Sequence, residues 1–294
     1  MNWFILAFIS ALFSAASAVS EKKVLFSMNA LDFSFIVSLI TLLFSVPFFF
    51  MIHLAEITST GLVILFVKTL LSAGAFLCVM LSIKNLEISE ALPLLALSPG
   101  LVAIAGVIFI NDILSGIEWI GIILMVIGAY ILELRKGNKN LLDPFKAMFS
   151  FSKYSYVFIA LILFTATSIL DRVLLKGYKF PPYTFMAFQQ LFYSVIFAAA
   201  VLINHKDTIK QVKSLDKKIF YMIIAISVFT VIYRYTQIEA TKLAPVALVL
   251  SVKRLSVLFA VIFGGKLFSE KNLYRKIAAV IIILAGATLL MNNG

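Results

Sequence analysis

Two adjacent cations, Lys253 and Arg254, stand in the middle of a hydrophobic run that extends from Leu243 to Gly264. A charge at the centre of a bilayer costs about 3 kcal/mol or more unless it meets water or a partner. Either the two cations pair with a buried acid such as Glu239, or they line a polar path and attract an anionic or zwitterionic solute. The fork of an arginine suits the second role, because it binds carboxylate or phosphate at two points.

Other polar side chains stand at membrane depth in neighbouring apolar runs. Tyr233 and Arg234 would extend the cationic surface, and Gln189 and Gln190 offer neutral hydrogen-bonding groups. The predicted substrate-binding residues are therefore Lys253, Arg254, Tyr233, Arg234, Gln189 and Gln190.

Two acid–base pairs, Glu21-Lys22 and Asp171-Arg172, lie near the ends of two apolar runs, 150 positions apart. Two interpretations are open: the pairs reach water at the membrane interface, or they act as gates at opposite faces of the membrane. A carboxylate that is removed from water takes up a proton more readily. Glu21, Asp171 and Glu239 are therefore also candidate proton carriers.

Prolines and small hydroxyl residues mark three of the runs. Pro93 and Pro245 each remove a helical hydrogen bond, and interrupted helices often border the binding regions of transporters, so both are predicted to form a hinge. Pro99 interrupts the same run as Pro93. Ser14 and Ser17 share one helix face with Glu21, which predicts either close helix packing or a wetted face.

Membrane-spanning helices must position these residues. The chain is 62% hydrophobic and 13% charged, which leaves no room for a soluble domain of ordinary size. A spanning helix needs about 20 mostly apolar residues. Lys68 lies inside the third such run, and its long stem is predicted to reach the interface. The predicted spans are Trp3–Ser20, Phe33–Ile52, Leu62–Leu81, Ala91–Phe109, Ile117–Leu134, Tyr156–Leu175, Phe185–Ile203, Phe220–Tyr235, Leu243–Gly264 and Ile277–Met291.

The composition argues against several other classes of protein. The single cysteine, Cys78, lies in an apolar run, so neither a disulfide framework nor a metal cluster is expected. The net charge of +11 resides mainly in short connections, which is typical of membrane loops rather than of nucleic-acid binding. Motifs for nucleotide hydrolysis or other catalysis are missing from the sequence. We therefore expect no enzymatic activity, no cofactor and no nucleic-acid partner.

The two halves of the chain resemble each other. Glu21-Lys22 corresponds to Asp171-Arg172, Asn85-Leu86-Glu87 to Gln237-Ile238-Glu239, and Gly128-Ala129 to Gly286-Ala287, with an offset that drifts from 150 to 158. Five spans per half is an odd number, so the second half must enter the membrane from the opposite side. The prediction is an all-α membrane protein of ten transmembrane helices, arranged as two inverted five-helix repeats around a central cavity. The repeats are residues 1–134 and 154–294, joined by a cytoplasmic linker at 135–153.

Lys and Arg residues near the span ends are distributed unevenly. Seventeen lie in the connections after the odd-numbered spans, and four lie on the other side with both termini. Because positive loops stay in the cytoplasm, both termini are predicted outside the cytoplasmic membrane. The small-residue sequence Ala16-Ser17-Ala18 resembles a cleavage site, but no Lys or Arg precedes it, so the first span is predicted to be retained.

The ends of both repeats carry a family resemblance. The segments from Phe109 to Leu132 and from Phe263 to Leu290 each contain an acidic turn, Asn111-Asp112 or Ser269-Glu270, before a glycine-containing helix. With the five-plus-five arrangement, they resemble the EamA-type branch of the drug/metabolite transporter superfamily. The resemblance implies a basket of helices around a central cavity and secondary transport of small metabolites, often export of amino acids or related compounds. Many relatives keep both termini in the cytoplasm, opposite to the orientation that the charges predict here.

The favoured function is secondary active transport of a small polar metabolite, anionic or zwitterionic, such as an amino acid, by alternating access. The expected partners are the substrate, the lipid bilayer, and protons or a counter-substrate. A flippase for a lipid-linked phosphate or sugar is one alternative. A membrane subunit that only assembles with partners is another.

Overall fold

The structure is a computed structural model that describes residues 2–52, 57–110, 114–133, 151–174, 178, 182–204, 216–243, 249 and 252–289. Within these ranges the secondary structure is helical. The helices are α1 (Trp3–Leu25), α2 (Ala30–Phe49), α3 (Ser59–Asn85), α4 (Ile88–Leu95), α5 (Ser98–Ile110), α6 (Gly116–Glu133), α7 (Phe151–Arg172), α8 (Pro182–Asn204), α9 (Lys217–Leu243), α10 (Leu255–Leu267) and α11 (Leu273–Leu289).

Seven helical segments of the described chain are long and apolar enough to cross a membrane. Long apolar helices satisfy their own backbone hydrogen bonds, which is the requirement that lipid imposes. The chain is therefore an integral membrane protein that crosses the bilayer several times. The seven are Trp3–Leu25, Ala30–Phe49, Ser59–Asn85, Ile88–Ala105, Tyr154–Asp171, Tyr183–Ile203 and Lys217–Gln237, and the shorter apolar helices are Gly116–Leu132 and Leu255–Leu267.

The fourth predicted span is divided into two helices. Helix α4 ends at Leu95 and α5 begins at Ser98, with turn conformation at the two residues between them. Pro93 lies inside α4, two residues before its end, so the interruption of the span follows it within about one turn. Pro99 is the second residue of α5, where a missing N–H interrupts no helical bond.

The ninth predicted span also departs from a continuous helix. Helix α10 begins at Leu255, and Arg254 is the residue that precedes it as the N-cap. Val252 and Lys253 are also helical, so Lys253 and Arg254 stand at a junction between two helical stretches. An interruption of this kind can present cations to a cavity. Pro245, the other predicted hinge residue, lies outside the described residues.

The helices pack across the two halves in matched pairs. By sequence repeat, α1 corresponds to α7, α2 to α8, α3 to α9, the α4–α5 pair to α10, and α6 to α11. Helix α1 packs on α9 as α3 packs on α7, and α1 packs on α10 as α5 packs on α7. Helices α2 and α8 pack on each other, and so do α6 and α11. Exchanging each helix for its repeat equivalent reproduces these pairs, whereas the packing of α3 on α1 and on α2 is not matched by α9 with α7 and α8 in the described ranges.

The seam between α6 and α11 is backbone against backbone. A Cβ atom added to Gly128 would lie 2.9 Å from the Ala279 carbonyl oxygen, and one added to Gly286 would lie 2.5 Å from that of Gly121. Only residues without a side chain allow this approach. The Gly128/Gly286 match in the sequence therefore corresponds to the closest contact of this helix pair.

Candidate functional site

A polar cavity of about 250 Å³ lies between helices of both halves. We call it the central cavity. Its walls come from α1, α2 and α3 of the first half and from α7, α8 and α9 of the second. The polar side chains that line it are Ser14, Ser17, Glu21, Ser34, Ser38, Thr41, Ser72, Gln190, Tyr193, Thr230, Tyr233 and Arg234.

Helix α1 presents its hydroxyl stripe to the central cavity. Ser14, Ser17 and Glu21 line it, as expected for residues three and four positions apart on one helix face. The Ser17 hydroxyl donates to Glu21 Oε1 at 2.8 Å. Ser10, one turn earlier, instead donates to the carbonyl of Tyr233 at 2.7 Å and is fully buried. Both interpretations of the stripe therefore apply, packing at Ser10 and a polar wall beyond it.

Helix α2 contributes a second polar wall. Ser34 and Ser38 donate their hydroxyl protons to carbonyls of their own helix, each at 2.7 Å, which leaves their oxygens free to accept from the cavity. The buried hydroxyl of Thr41 has no hydrogen-bond partner within the described part of the chain. An unsatisfied buried hydroxyl is costly without a ligand or water. This wall is suited to a polar occupant.

Aromatic rings close one side of the central cavity. The rings of Tyr193 and Phe197 are stacked with centroids 6.0 Å apart, and that of Phe76 lies at a steep angle 6.1 Å from Phe197. Stacked and edge-on rings are stiff and bury a large apolar area. The cavity therefore combines hydroxyl and charged walls with one flat apolar wall.

A second cavity, of about 310 Å³, adjoins the first and is called the side cavity here. Lys253, Arg254 and Ser256 line it at the start of α10. Ser14, Ala18 and Leu92 line both cavities, so the two share a wall.

The surroundings of Lys253 bear on one of the open alternatives, a pair with Glu239. Its Nζ contacts Gln237 Oε1 and lies 5.1 Å from the centre of the Tyr233 ring. Glu239 instead accepts a hydrogen bond from the Tyr183 hydroxyl at 2.6 Å. The ion pair of Lys253 or Arg254 with Glu239 is therefore not formed. The Nε atoms of Arg234 and Arg254 are buried and lack a hydrogen-bond partner among the described residues.

The two glutamines of α8 are separated by the helix. Gln190 lines the central cavity, whereas Gln189 is buried and is not one of the residues lining either cavity. Adjacent helical residues point about 100° apart, which accounts for the different surroundings of the two side chains. No group of three or more His, Cys, Asp or Glu side chains in the described ranges could hold a metal ion.

Lys22 belongs to a cluster of charges at one end of the bundle, which we call the Lys22 end. Its Nζ donates to the Leu86 carbonyl at 2.6 Å and lies 3.6 Å from Glu270 Oε1. Glu270 in turn accepts from the backbone N–H of Ile88 at 2.7 Å and of Ser89 at 3.1 Å, and from the Ser89 hydroxyl. A carboxylate at a helix start satisfies free N–H groups and complements the helix dipole.

Lys276 completes the Lys22 end. Its ammonium contacts Glu87 and lies 3.9 Å from Glu90 Oε1, while the Tyr154 hydroxyl donates to Glu90 Oε2 at 3.5 Å. Lys276 is buried, and Glu87 is partly exposed. These contacts join the α3–α4 turn to the start of α11 in the other half of the chain.

Asp171 forms an ion pair with a residue of another helix. Its Oδ1 lies 3.0 Å from Lys68 Nζ, and Lys68 also lies 4.5 Å from the centre of the Phe185 ring. Lys68 is only 5% exposed, so the prediction that it reaches the interface is wrong. Its charge is neutralised by a partner, which removes the need to reach water. Arg172 ends α7, and its side chain lies outside the described residues.

Sequence reasoning missed two of these ionic partners. Glu270 was assigned only to a turn, although its carboxylate holds the start of α4, 182 residues earlier in the chain. Lys276 was counted only as a loop charge. The signal available in the sequence was that acidic and basic residues lie near the ends of each repeat. That pattern does not specify which acid forms an ion pair with which base.

The sequence matches the model of the EamA-like transporter family over residues 1–134 and 151–292. The chain therefore belongs to this family, which is the EamA-type branch of the drug/metabolite transporter superfamily, as the resemblance predicted. A solved structure titled only as the crystal structure of a protein superposes with a TM-score of 0.64 over 98% of this chain and 95% of the other. The identity is 12%, so this likeness concerns the fold alone. The search of curated proteins returned no match.

Proposed function

We propose that this membrane transporter is a secondary transporter that moves a small polar metabolite, anionic or zwitterionic, by alternating access. The observation that carries the proposal is the central cavity, which both halves enclose and which Glu21, Gln190, Tyr233 and Arg234 line. Lys253 and Arg254 extend the polar surface into the side cavity. A buried cavity with few, well-placed polar groups is the usual form of a small-molecule site.

The matched helix pairs support an inverted repeat of ten spans, with repeats at 1–134 and 154–294 and a linker at 135–153. Alternating access needs two halves that can exchange conformations around a fixed site. The helix pairs between the halves that are kept on exchange, α1 with α9 and α3 with α7 among them, support this requirement. In this scheme the membrane is the cytoplasmic membrane, and both termini lie outside it.

The charged groups at the two ends act as gates in this scheme. Lys22 and Glu270 close the Lys22 end by joining α1 to the α3–α4 turn and the α10–α11 turn. Opening that end requires their separation. Asp171, Arg172 and Glu239 serve the opposite end, and Glu21, inside the central cavity, takes part in coupling by binding a proton or the substrate.

The experiment is a two-stage screen of purified protein. Metabolites are first tested for thermal stabilisation, and those that stabilise the protein are then tested for flux into proteoliposomes. Saturable flux that falls at least about tenfold in Lys253→Ala or Arg254→Ala is expected, because each variant removes a charged contact. If no stabilising metabolite gives saturable flux, transport of a small metabolite is the wrong function. If flux is unchanged in both variants, the site is elsewhere.

A further inference from the structure

The cations of the two cavities differ from the other buried cations of the described chain. Lys22, Lys68 and Lys276 each have a carboxylate oxygen within 4.0 Å. Arg234, Lys253 and Arg254 are not within that distance of any carboxylate among the described residues. Asp171 acts on Arg234 from farther away, but its oxygen is bound to Lys68 at 3.0 Å.

The charges on the cavity walls do not balance. Three cations, Arg234, Lys253 and Arg254, face one carboxylate, Glu21, among the residues that line the two cavities. Three positive charges less one negative charge leave an excess of two. Uncompensated charge inside a membrane protein is costly, so a bound substrate that brings two negative charges relieves the largest electrostatic cost of the site.

Each cavity offers its own place for an acidic group. The buried Nε of Arg234 in the central cavity and the buried Nε of Arg254 in the side cavity both lack a hydrogen-bond partner in the described ranges. A guanidinium binds a carboxylate or phosphate through two parallel hydrogen bonds. Two separate guanidinium groups, each with an unbonded Nε, therefore fit two separate acidic groups.

The start of α10 further supports binding of an acidic group in the side cavity. Arg254 is the N-cap of this 13-residue helix and makes no side-chain capping bond. Val252 and Lys253 before it are helical, so the turn at Arg254 separates two helical stretches, and the start of the second favours an anion. Ser256, in the first turn, lines the same cavity. Lys253, Arg254 and Ser256 thus surround one anion position.

We infer that the substrate carries two acidic groups, one bound at Arg234 in the central cavity and the other at Arg254 in the side cavity. The part of the substrate between the two acidic groups lies along Ser14, Ala18 and Leu92, which line both cavities. This inference rests on the proposed function and narrows it: a zwitterion would place its amine on Glu21 and leave the excess positive charge in place. Each acidic group is a carboxylate or a phosphate.

The test measures binding of dicarboxylates from malonate to adipate, phosphoglycolate, matched monocarboxylates and glycine by thermal shift and calorimetry. At least one compound with two acidic groups should bind about tenfold more tightly than its matched monocarboxylate, because it adds a charged contact. Tightest binding of phosphoglycolate would identify one acidic group as a phosphate. Equal binding of all acids, or tightest binding of glycine, would overturn the inference.

Matched variants assign the two positions. Arg234→Gln and Arg254→Gln should each reduce the preference for compounds with two acidic groups to about twofold or less, while binding of compounds with one acidic group persists. Arg254→Lys should keep part of the preference, because the positive charge remains although the two-point contact of the guanidinium is lost. Lys266→Gln, at the exposed end of α10, is the control. A full preference in both glutamine variants would overturn the assignment. Saturable flux of glycine, with no preference for compounds with two acidic groups, would reject this inference but not the proposed transport function. A preference for such compounds without flux of any of them would reject transport but not this inference.

Discussion

The two ends of the bundle hold their charges in different ways. At the Lys22 end, one carboxylate, Glu270, receives three hydrogen bonds from the start of α4 and also faces Lys22. At the other end, Asp171 meets Lys68 as a single pair, and Glu239 accepts one hydrogen bond from Tyr183. The first arrangement joins the end of α1 to the α3–α4 turn and the α10–α11 turn, while the second joins helices two at a time.

The difference teaches which end is harder to open. The side chains of Lys22 and Glu270 are 6% and 3% exposed, whereas that of Asp171 is 36% exposed. Breaking a buried pair leaves a charge that water cannot reach, which costs far more than breaking a pair that is partly in water. We expect the Lys22 end to contribute more to stability and to open more slowly.

The largest effect is expected for Glu270→Gln. The variant leaves Lys22 buried without a counter-charge and weakens the bonds to Ile88 and Ser89, so unfolding should become easier by about 3–5 kcal/mol. A thermal melt in detergent measures this loss. The neighbouring exposed Lys271→Gln is the control. An unchanged melting temperature in Glu270→Gln would show that the Lys22 end is not held by this carboxylate.

Lys68→Met should have the next largest effect. Asp171 then lacks its partner, but it is partly exposed, so the expected loss is about 2 kcal/mol. Adding Asp171→Asn to Lys68→Met should restore most of the stability, because the uncompensated charge disappears. A double-mutant cycle by thermal melting measures the coupling, and a cycle with no coupling would contradict the pair.

Tyr183→Phe sharpens the comparison at the level of one hydrogen bond. It removes the 2.6 Å hydrogen bond that the Tyr183 hydroxyl donates to Glu239 Oε1. The expected loss is about 1–2 kcal/mol, measured by denaturation in detergent. A variant as stable as the parent would mean that water replaces the hydroxyl and that Glu239 is already solvated.

The smallest effect is expected for Tyr154→Phe at the Lys22 end. The hydroxyl is 3.5 Å from Glu90, which is a long hydrogen bond, and Glu90 also lies near Lys276. The loss should be about 0.5 kcal/mol. If Tyr154→Phe destabilises the protein more than Tyr183→Phe does in the same denaturation series, the ranking of the two ends by single contacts is wrong.

The sequence predicted the features that depend on local pattern. Apolar runs predicted the main helices, and the stripe of Ser14, Ser17 and Glu21 predicted one polar helix face that lines the central cavity. Lys253 and Arg254 stood out because two charges in an apolar run need an explanation. Their position at the junction before α10 could not be predicted from the sequence, because an apolar run does not reveal where a helix is interrupted.

Contacts between residues that are far apart in the chain could not be predicted from the sequence. Pro93 and Pro99 could each interrupt the fourth span, and the interruption lies between them, at residues 96 and 97. The partners of Lys68 and Glu270 are more than a hundred residues away, at Asp171 and Ile88. Many acids and bases could have paired, and only the packing of the helices selects among them.

The glycine seam of α6 and α11 has a consequence for how the polypeptide can be handled. Since Gly128 and Gly286 let backbones touch, this contact survives without any peptide bond that connects the halves. Fragments 1–134 and 151–294, expressed together as separate chains, should recognise each other in the bilayer and copurify. Bulky replacements at either glycine should prevent the two fragments from associating. The contact between α6 and α11 could therefore be used to build split versions of the protein.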